Sequence, residues 1–275
     1  MSDDVIEGRI GILGLGRLGE ALLSGLLRSG AAKPDQIRGT VRHDDRAAAL
    51  TERLGIEVST DSAAVADWAD IVVVAVKPQS LQGLFDQVAG HIRPGEPVIT
   101  VAAGVPTERF EAALGEIPVV RVMTNVPVLV DEAMSAISAG AHADEDHLLL
   151  AERFLSQVGR VVRMREEDLD AVTALSGSGP AYFFLLAEAM IDAGILLGLP
   201  RDVATELITQ TMTGSALMLR DTGRHPVELR ESVTSPGGTT IAAIRVLEEQ
   251  KVRAAFLNAI EAAKLRSEQL GRETR

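Results

Sequence analysis

The stretch "RIGILGLGRLGEALLSGLLRSG", Arg9 to Gly30, decides the fold. Its opening "RIGIL" is a short apolar run of the kind that forms a covered strand, and "EALLSGLLRSG" repeats its apolar residues at helical spacing. Between them lies "GLGRLG", formed by Gly14, Leu15, Gly16, Arg17, Leu18 and Gly19. A loop of that spacing between a strand and a helix has a physical purpose. The first glycine permits the tight turn, the second lets a pyrophosphate reach the backbone, and the third lets helix and strand pack closely. The amides of the helix N-terminus then face the anion. The segment predicts a dinucleotide-binding loop.

Further along, from Arg9 to about Arg163, short apolar runs alternate with helical patterns: "IRGTV", "IVVVAV", "PVITVAAG", "VVRVM" and "MSAISAG" read as strands after "RIGIL". That alternation predicts β-α-β units on a mostly parallel sheet. Ile71 to Val76 is apolar at every position, as a central strand covered on both faces requires. The second strand, "IRGTV", should end beside the adenosine ribose, where an acidic residue would select NAD. Here it ends in Arg42 and His43, with Arg46 close behind. Basic side chains suit a 2′-phosphate, so the expected cofactor is NADPH, with NADH as the weaker alternative.

After Arg163 the strand signals stop. Pro180 opens a helical pattern that Gly198 closes, and Pro200 opens another that Gly223 closes. Proline near the start and glycine just past the end is the ordinary asymmetry of helices. Pro226 begins a third helix, the threonines after Gly238 a fourth, and a final one runs from about Val252 to Leu270. Surplus apolar faces in so small a helical domain call for a homo-oligomer. Residues 181–199 are the longest apolar segment, but Glu188 and Asp192 lie inside it, so it reads as a buried helix rather than a membrane span.

Composition narrows the partners. The 275 residues are 46% hydrophobic, enough for one large or two modest cores, and carry a formal net charge of -12. That balance argues against nucleic acid and anionic membrane surfaces as partners. The chain has no cysteine, which excludes disulfides, thiolate nucleophiles and cysteine metal sites. Its acidic start, "MSDDVIEGR", is unlike a secretory signal, and the expected location is the cytoplasm. "HADEDH", His142 to His147, matches no standard metal spacing and reads as a polar turn capping the next helix. No metal site is expected.

The stretch "SPGGTT", Ser235 to Thr240, sets two glycines between helical patterns, a liability unless something approaches the main chain. Spacing alone leaves two readings open: threonines that cap the fourth helix, or an anion site at its N-terminus.

With "AVKPQ", "ITVAAGV", "AVTALSGSGPAYFF", "GLPRDVA" and "HPVELRESVTSPGGTTIAAI", the chain resembles the pyrroline-5-carboxylate reductase family along nearly its whole length. The resemblance implies hydride transfer from NADPH, or less often NADH, to the C=N bond of 1-pyrroline-5-carboxylate, giving L-proline. It implies dimers that interleave their helical domains, often gathered into a decamer. The change of period divides the expected α/β protein in two: residues 1–165 as a Rossmann-type, doubly wound, mostly parallel sheet, and 166–275 as an all-helical substrate and dimerisation domain. Carried over by position, the cofactor contacts are Gly14 to Gly19, Arg42, Ser62, Ala75, Val76, Lys77, Ala102, Ala103, Asn125 and Ser232. The substrate contacts are Glu166, Ser235, Gly238, Thr239 and Thr240. Within that frame Thr240 is the catalytic donor beside the substrate nitrogen, and the amides of Gly238 and Thr239 take the carboxylate.

One segment departs from the family. A proline-asparagine-threonine-proline run followed by two glycines is usual near the nicotinamide, whereas this chain reads "MTNVPVLVDEAMSA", Met123 to Ala136. Asn125 and Pro127 are kept, while Thr124, Val126, Asp131 and Ala133 are not the usual residues. The departure supports one rival, a reductase of another small cyclic imine or oxo acid; a second, a non-catalytic NADP-binding regulatory homologue, has the retained "SPGGTT" against it.

Overall fold

The computed structural model describes residues 5–273; the acidic start at Met1–Asp4 and the last two residues lie outside the described residues. The chain divides into two compact units. One runs to Ser178 and takes in the end of the last helix from Ala263, and the other is Gly179–Ala262.

In the first unit, strands and helices alternate: β1 (Ile10–Leu13), α1 (Arg17–Ser29), β2 (Ile37–Thr40), α2 (Asp44–Leu54), β3 (Glu57–Ser59), α3 (Ser62–Trp68) and β4 (Ile71–Val74). There follow α4 (Leu81–Val88), β5 (Val98–Thr100), α5 (Thr107–Leu114), β6 (Val119–Met123), β7 (Ala133–Ala139), α6 (Glu145–Ser156), β8 (Gly159–Arg163) and the short α7 (Leu169–Val172). One eight-stranded sheet results, in the order β3-β2-β1-β4-β5-β6-β7-β8. Every pairing is parallel except β6 with β7. β1 and β4 are buried at every residue, as strands covered by helices on both faces must be. Two apolar clusters result, one holding Ile10, Leu22, Leu26, Ile99 and Phe154, the other Leu13, Val72, Leu81, Phe85 and Phe110. Phe85 and Phe110 meet edge to face in the second, with ring centroids 5.1 Å apart.

Two strands were not expected. β3 is three residues long and buries only Val58, too short to show a period of two. β8, "GRVVR", is flanked by arginines and lies at the sheet edge, so it lacks the apolar run of an inner strand. "HADEDH" caps a helix, as expected: the Asp144 carboxylate accepts from the amides of Asp146 and His147 at the start of α6.

The second unit carries α8 (Gly179–Leu196), α9 (Arg201–Thr222), α10 (Pro226–Ser232), α11 (Thr239–Glu249) and the first half of α12 (Val252–Glu273). The expectation of a buried helix over residues 181–199 is corrected within a single chain. Phe184 and Leu185 are 65% and 67% exposed, and Gly179 is the buried residue of α8. A few helices cannot wrap one another on all sides, so their outer faces stay bare. By length and composition the helical run Glu166–Leu196 could cross a membrane, with 6% of its most apolar window buried.

Candidate active site

The strand order reverses between β1 and β4, and ligands of open α/β sheets bind in the crevice beyond the carboxyl ends of strands at such a point. The glycine loop sits there. Gly14 has φ 102°, and a Cβ on it would lie 2.7 Å from Val76 Cγ1. On Gly19 a Cβ would collide with the Gly14 carbonyl oxygen, closing the gap between α1 and the loop. At Gly16, the N-cap of α1, a Cβ would meet nothing within 4 Å. The two flanking glycines are demanded by the fold, and the middle one borders open space in front of a helix N-terminus. That cradle fits a pyrophosphate. Thr40, at the end of β2, holds the loop from the side: its carbonyl accepts from Leu15 N at 2.7 Å and its Oγ1 from Gly14 N at 3.1 Å.

The other predicted cofactor residues of this unit follow the strand ends. Ala75, Val76 and Lys77 come directly after β4, and the amide of Ala75 donates to the Leu13 carbonyl at 2.9 Å. Ala102 is buried and Ala103 exposed after β5. Ser62 is buried at the first position of α3. Arg42 is exposed and donates to Ser80 Oγ. Arg46 is committed elsewhere, sharing the Glu20 carboxylate with Arg53. Arg42, unlike Arg46, is engaged by a neutral hydroxyl rather than by a carboxylate.

Asn125 is fully engaged by protein. Its Oδ1 accepts from Met134 N at 3.0 Å, and its Nδ2 donates to the Ser176 carbonyl at 3.1 Å and to Ser176 Oγ at 3.3 Å. Ser176 belongs to a π-helical turn, Thr173–Gly177, a distortion common at functional sites and not foreseen from the sequence. The turn approaches β6 so closely that a Cβ on Gly177 would overlap Met123 Cε. Arg17, Leu18, Thr124, Asn125, Val126, Val128, Leu129 and Gly177 line an open pocket of about 290 Å³. The unusual "TNVPVLVDEA" segment builds one wall of it. Asp131, in that segment, takes the left-handed backbone at φ 59° and forms an ion pair with Arg28 of α1, Nη2 to Oδ1 at 2.6 Å.

In the second unit, "SPGGTT" forms a tight turn into α11. Gly237 has φ 66°, and Gly238 is the N-cap without a side-chain cap. The amide of Gly238 already donates to the Ser235 carbonyl at 3.0 Å, so the expectation that it takes a substrate carboxylate is corrected. The amides of Thr239 and Thr240 begin the helix and have no carbonyl one turn back. Among the described residues, the hydroxyls of Thr239 and Thr240 make no side-chain hydrogen bond, which counts against simple capping. Ser232 ends α10, with its hydroxyl on the Leu229 carbonyl at 2.7 Å. Ser235, Gly238, Thr239 and Thr240 therefore share one turn, while the glycine loop and its neighbours belong to the other unit. Glu166 is joined to neither group. Its carboxylate receives Thr107 N and Thr107 Oγ1, each at 2.8 Å, and Arg121 Nη1 at 3.0 Å.

A glycine-loop nucleotide site at the switch point of an open parallel sheet, followed by a helical unit, defines a Rossmann-type NAD(P)-dependent oxidoreductase. Residues 9–104 match the family model described as NADP oxidoreductase, coenzyme F420-dependent, and residues 166–270 match pyrroline-5-carboxylate reductase dimerisation. The chain belongs to the pyrroline-5-carboxylate reductase family. It is 43% identical over 267 residues to the pyrroline-5-carboxylate reductase of Corynebacterium melassecola, covering 96% of this chain and 98% of the relative. The solved structure of the Coxiella burnetii enzyme superposes with a TM-score of 0.90 at 36% identity, covering 96% of this chain and 98% of that one. That of the Plasmodium falciparum pyrroline carboxylate reductase, with NADP bound, gives 0.87 at 26%, covering 97% and 99%.

Proposed function

We propose that the chain reduces the C=N bond of 1-pyrroline-5-carboxylate to give L-proline, with NADPH preferred over NADH. The observation that carries this reading is the turn Ser235–Thr240: two helix-start amides and two unpaired hydroxyls on one small backbone concavity, suited to an amino-acid-sized anion. When bound, the nicotinamide supplies the hydride. The chain supplies position and charge complementarity. Gly14 to Gly19 would hold the pyrophosphate and Arg42 the 2′-phosphate. Ala75 to Lys77, Ala102 and Ala103 would line the cofactor along the strand ends. The amides of Thr239 and Thr240, aided by the dipole of α11, hold the substrate carboxylate. Thr240 Oγ1 hydrogen-bonds the ring nitrogen; a cyclic imine is basic enough to bring its own proton, so no strong acid is required.

The bare apolar faces of α8 and α9 support a homo-oligomer, and we extend this to the dimer and the decamer that the family resemblance implies. Subunit contact is then the use of the apolar run Glu166–Leu196, with no membrane or nucleic acid as partner and the cytoplasm as the place of action.

The test is NADPH oxidation followed by absorbance, with pyrroline-5-carboxylate and then with six-membered and 2-carboxylate cyclic imines. Thr240→Ala should lower kcat/KM by tenfold or more, about 1.4 kcal/mol, with NADPH affinity unchanged. Absence of oxidation with every imine ends the reading; wild-type kinetics in the variant remove Thr240 from it.

A further inference from the structure

The loop between β5 and α5 carries Ala102 and Ala103, and its two ends are held in different ways. Upstream the sheet holds it: Val101 N donates to the Val74 carbonyl at 3.0 Å and Ala102 N to Thr100 Oγ1 at 3.3 Å. Downstream it enters α5 through Pro106, the N-cap residue, which has neither an amide hydrogen nor a side chain able to cap. The missing cap comes from 59 residues away. Glu166 places its carboxylate at the start of α5, taking both the amide and the hydroxyl of Thr107. Arg121, 8% exposed on β6, neutralises that carboxylate from the other side. A carboxylate at a helix N-terminus is favoured by the dipole as well as by the hydrogen bonds.

The anchor is itself braced. Four residues beyond Glu166, the Asp170 carboxylate accepts from Ser267 Oγ at 2.6 Å, which ties the same short segment to the end of α12. Ser267 is buried.

We infer that Glu166 is a positioning residue: it caps α5 from a distance and so fixes the loop that presents Ala102 and Ala103 to the cofactor. This rests on the cofactor role proposed for that loop, and it sets aside substrate binding as the work of Glu166. Its carboxylate already holds three donors, Thr107 N, Thr107 Oγ1 and Arg121 Nη1, and among the described residues is joined to none of the Ser235–Thr240 turn.

The two roles separate kinetically. Glu166→Ala should raise KM and Kd for NADPH at least about fivefold, with KM for pyrroline-5-carboxylate changed less than about twofold. Thr107→Val, which keeps the shape and the amide bond and loses only the hydroxyl, should move NADPH in the same direction by a smaller factor. Glu166→Gln keeps an acceptor for the Thr107 amide and should recover most of the affinity. NADPH Kd is read from its fluorescence on binding to the full-length protein without imine, so the result stands even where the proposed substrate fails to turn over. A rise confined to the imine KM would make Glu166 a substrate ligand, and a lowered melting temperature with both constants unchanged would make it structural only. Either outcome overturns the proposal.

Discussion

At Asp131 a single residue reports how this chain departs from its family. Its φ of 59° is a conformation that costs a residue with a Cβ about 1 kcal/mol or more and that glycine adopts freely. The ion pair with Arg28, between half-exposed side chains, returns only part of that. Asp131→Ala should keep the strain and lose the pair, lowering stability by about 0.5–1 kcal/mol in urea unfolding. Asp131→Gly should lose the pair and relieve the strain, staying within about 0.5 kcal/mol of the parent. Equal losses in both variants would show the pair, not the backbone, to be what matters. The segment makes its turn at Asp131, and Asn125 ties it to the π turn through Ser176.

At the scale of elements, the glycine loop separates what the fold needs from what the cofactor needs. Gly16→Ala places a methyl group in open space and should leave the melting temperature unchanged while reducing NADPH affinity tenfold or more, about 1.4 kcal/mol. Gly14→Ala forces a side chain onto a positive φ against Val76 and should reduce both. Unchanged NADPH binding in Gly16→Ala would place the pyrophosphate elsewhere. At the opposite ends of the same strands, Arg9 holds Asp70 by a two-pronged hydrogen bond that lowers the Asp70 pKa from 3.8 to about 2. Because the folded value is the lower one, this pair stabilises above the unfolded pKa, and its contribution fades as pH falls through the interval from 3.8 toward 2. Asp70→Asn should flatten the dependence of the urea midpoint on pH in that interval; an unaltered slope would assign the acid sensitivity to other carboxylates.

How much of this was legible follows element by element. The loop, six strands and the helices opened by Pro180, Pro200 and Pro226 announce themselves through local spacing, because each is dictated by residues a few positions apart. β3 and β8 do not, being respectively too short and too polar to carry a period. The π turn shows no local signal either, since its widened pitch is stabilised by Asn125 from another segment. Glu166 is the sharpest case. Its partners Thr107 and Arg121 lie 59 and 45 positions away, so no local spacing could announce them, and the substrate role came from the family resemblance alone. The helix after "SPGGTT" begins at Thr239 as its glycines and threonines suggest, whereas the bond from Gly238 N to the Ser235 carbonyl depends on how the turn closes.

At the scale of the whole molecule, the two units use their apolar residues in opposite ways. The sheet unit hides Ile12, Leu22, Val73 and Phe110 completely, while Phe183, Phe184, Leu185 and Leu257 of the helical unit stand in solvent. A patch of that kind marks a surface meant for another subunit. Phe184→Asp should therefore shift the protein toward monomer in light scattering coupled to size exclusion, with loss of reductase activity. A variant that stays oligomeric and active would move the contact to another face.

The bare faces of α8 and α9 carry one more consequence. A domain that completes its core only by meeting a copy of itself has no fixed melting point, because association enters its stability by mass action. Dilution should act on this protein as a mild denaturant, so that the first newly made chains in a cell are the most vulnerable ones and abundance itself becomes a form of protection.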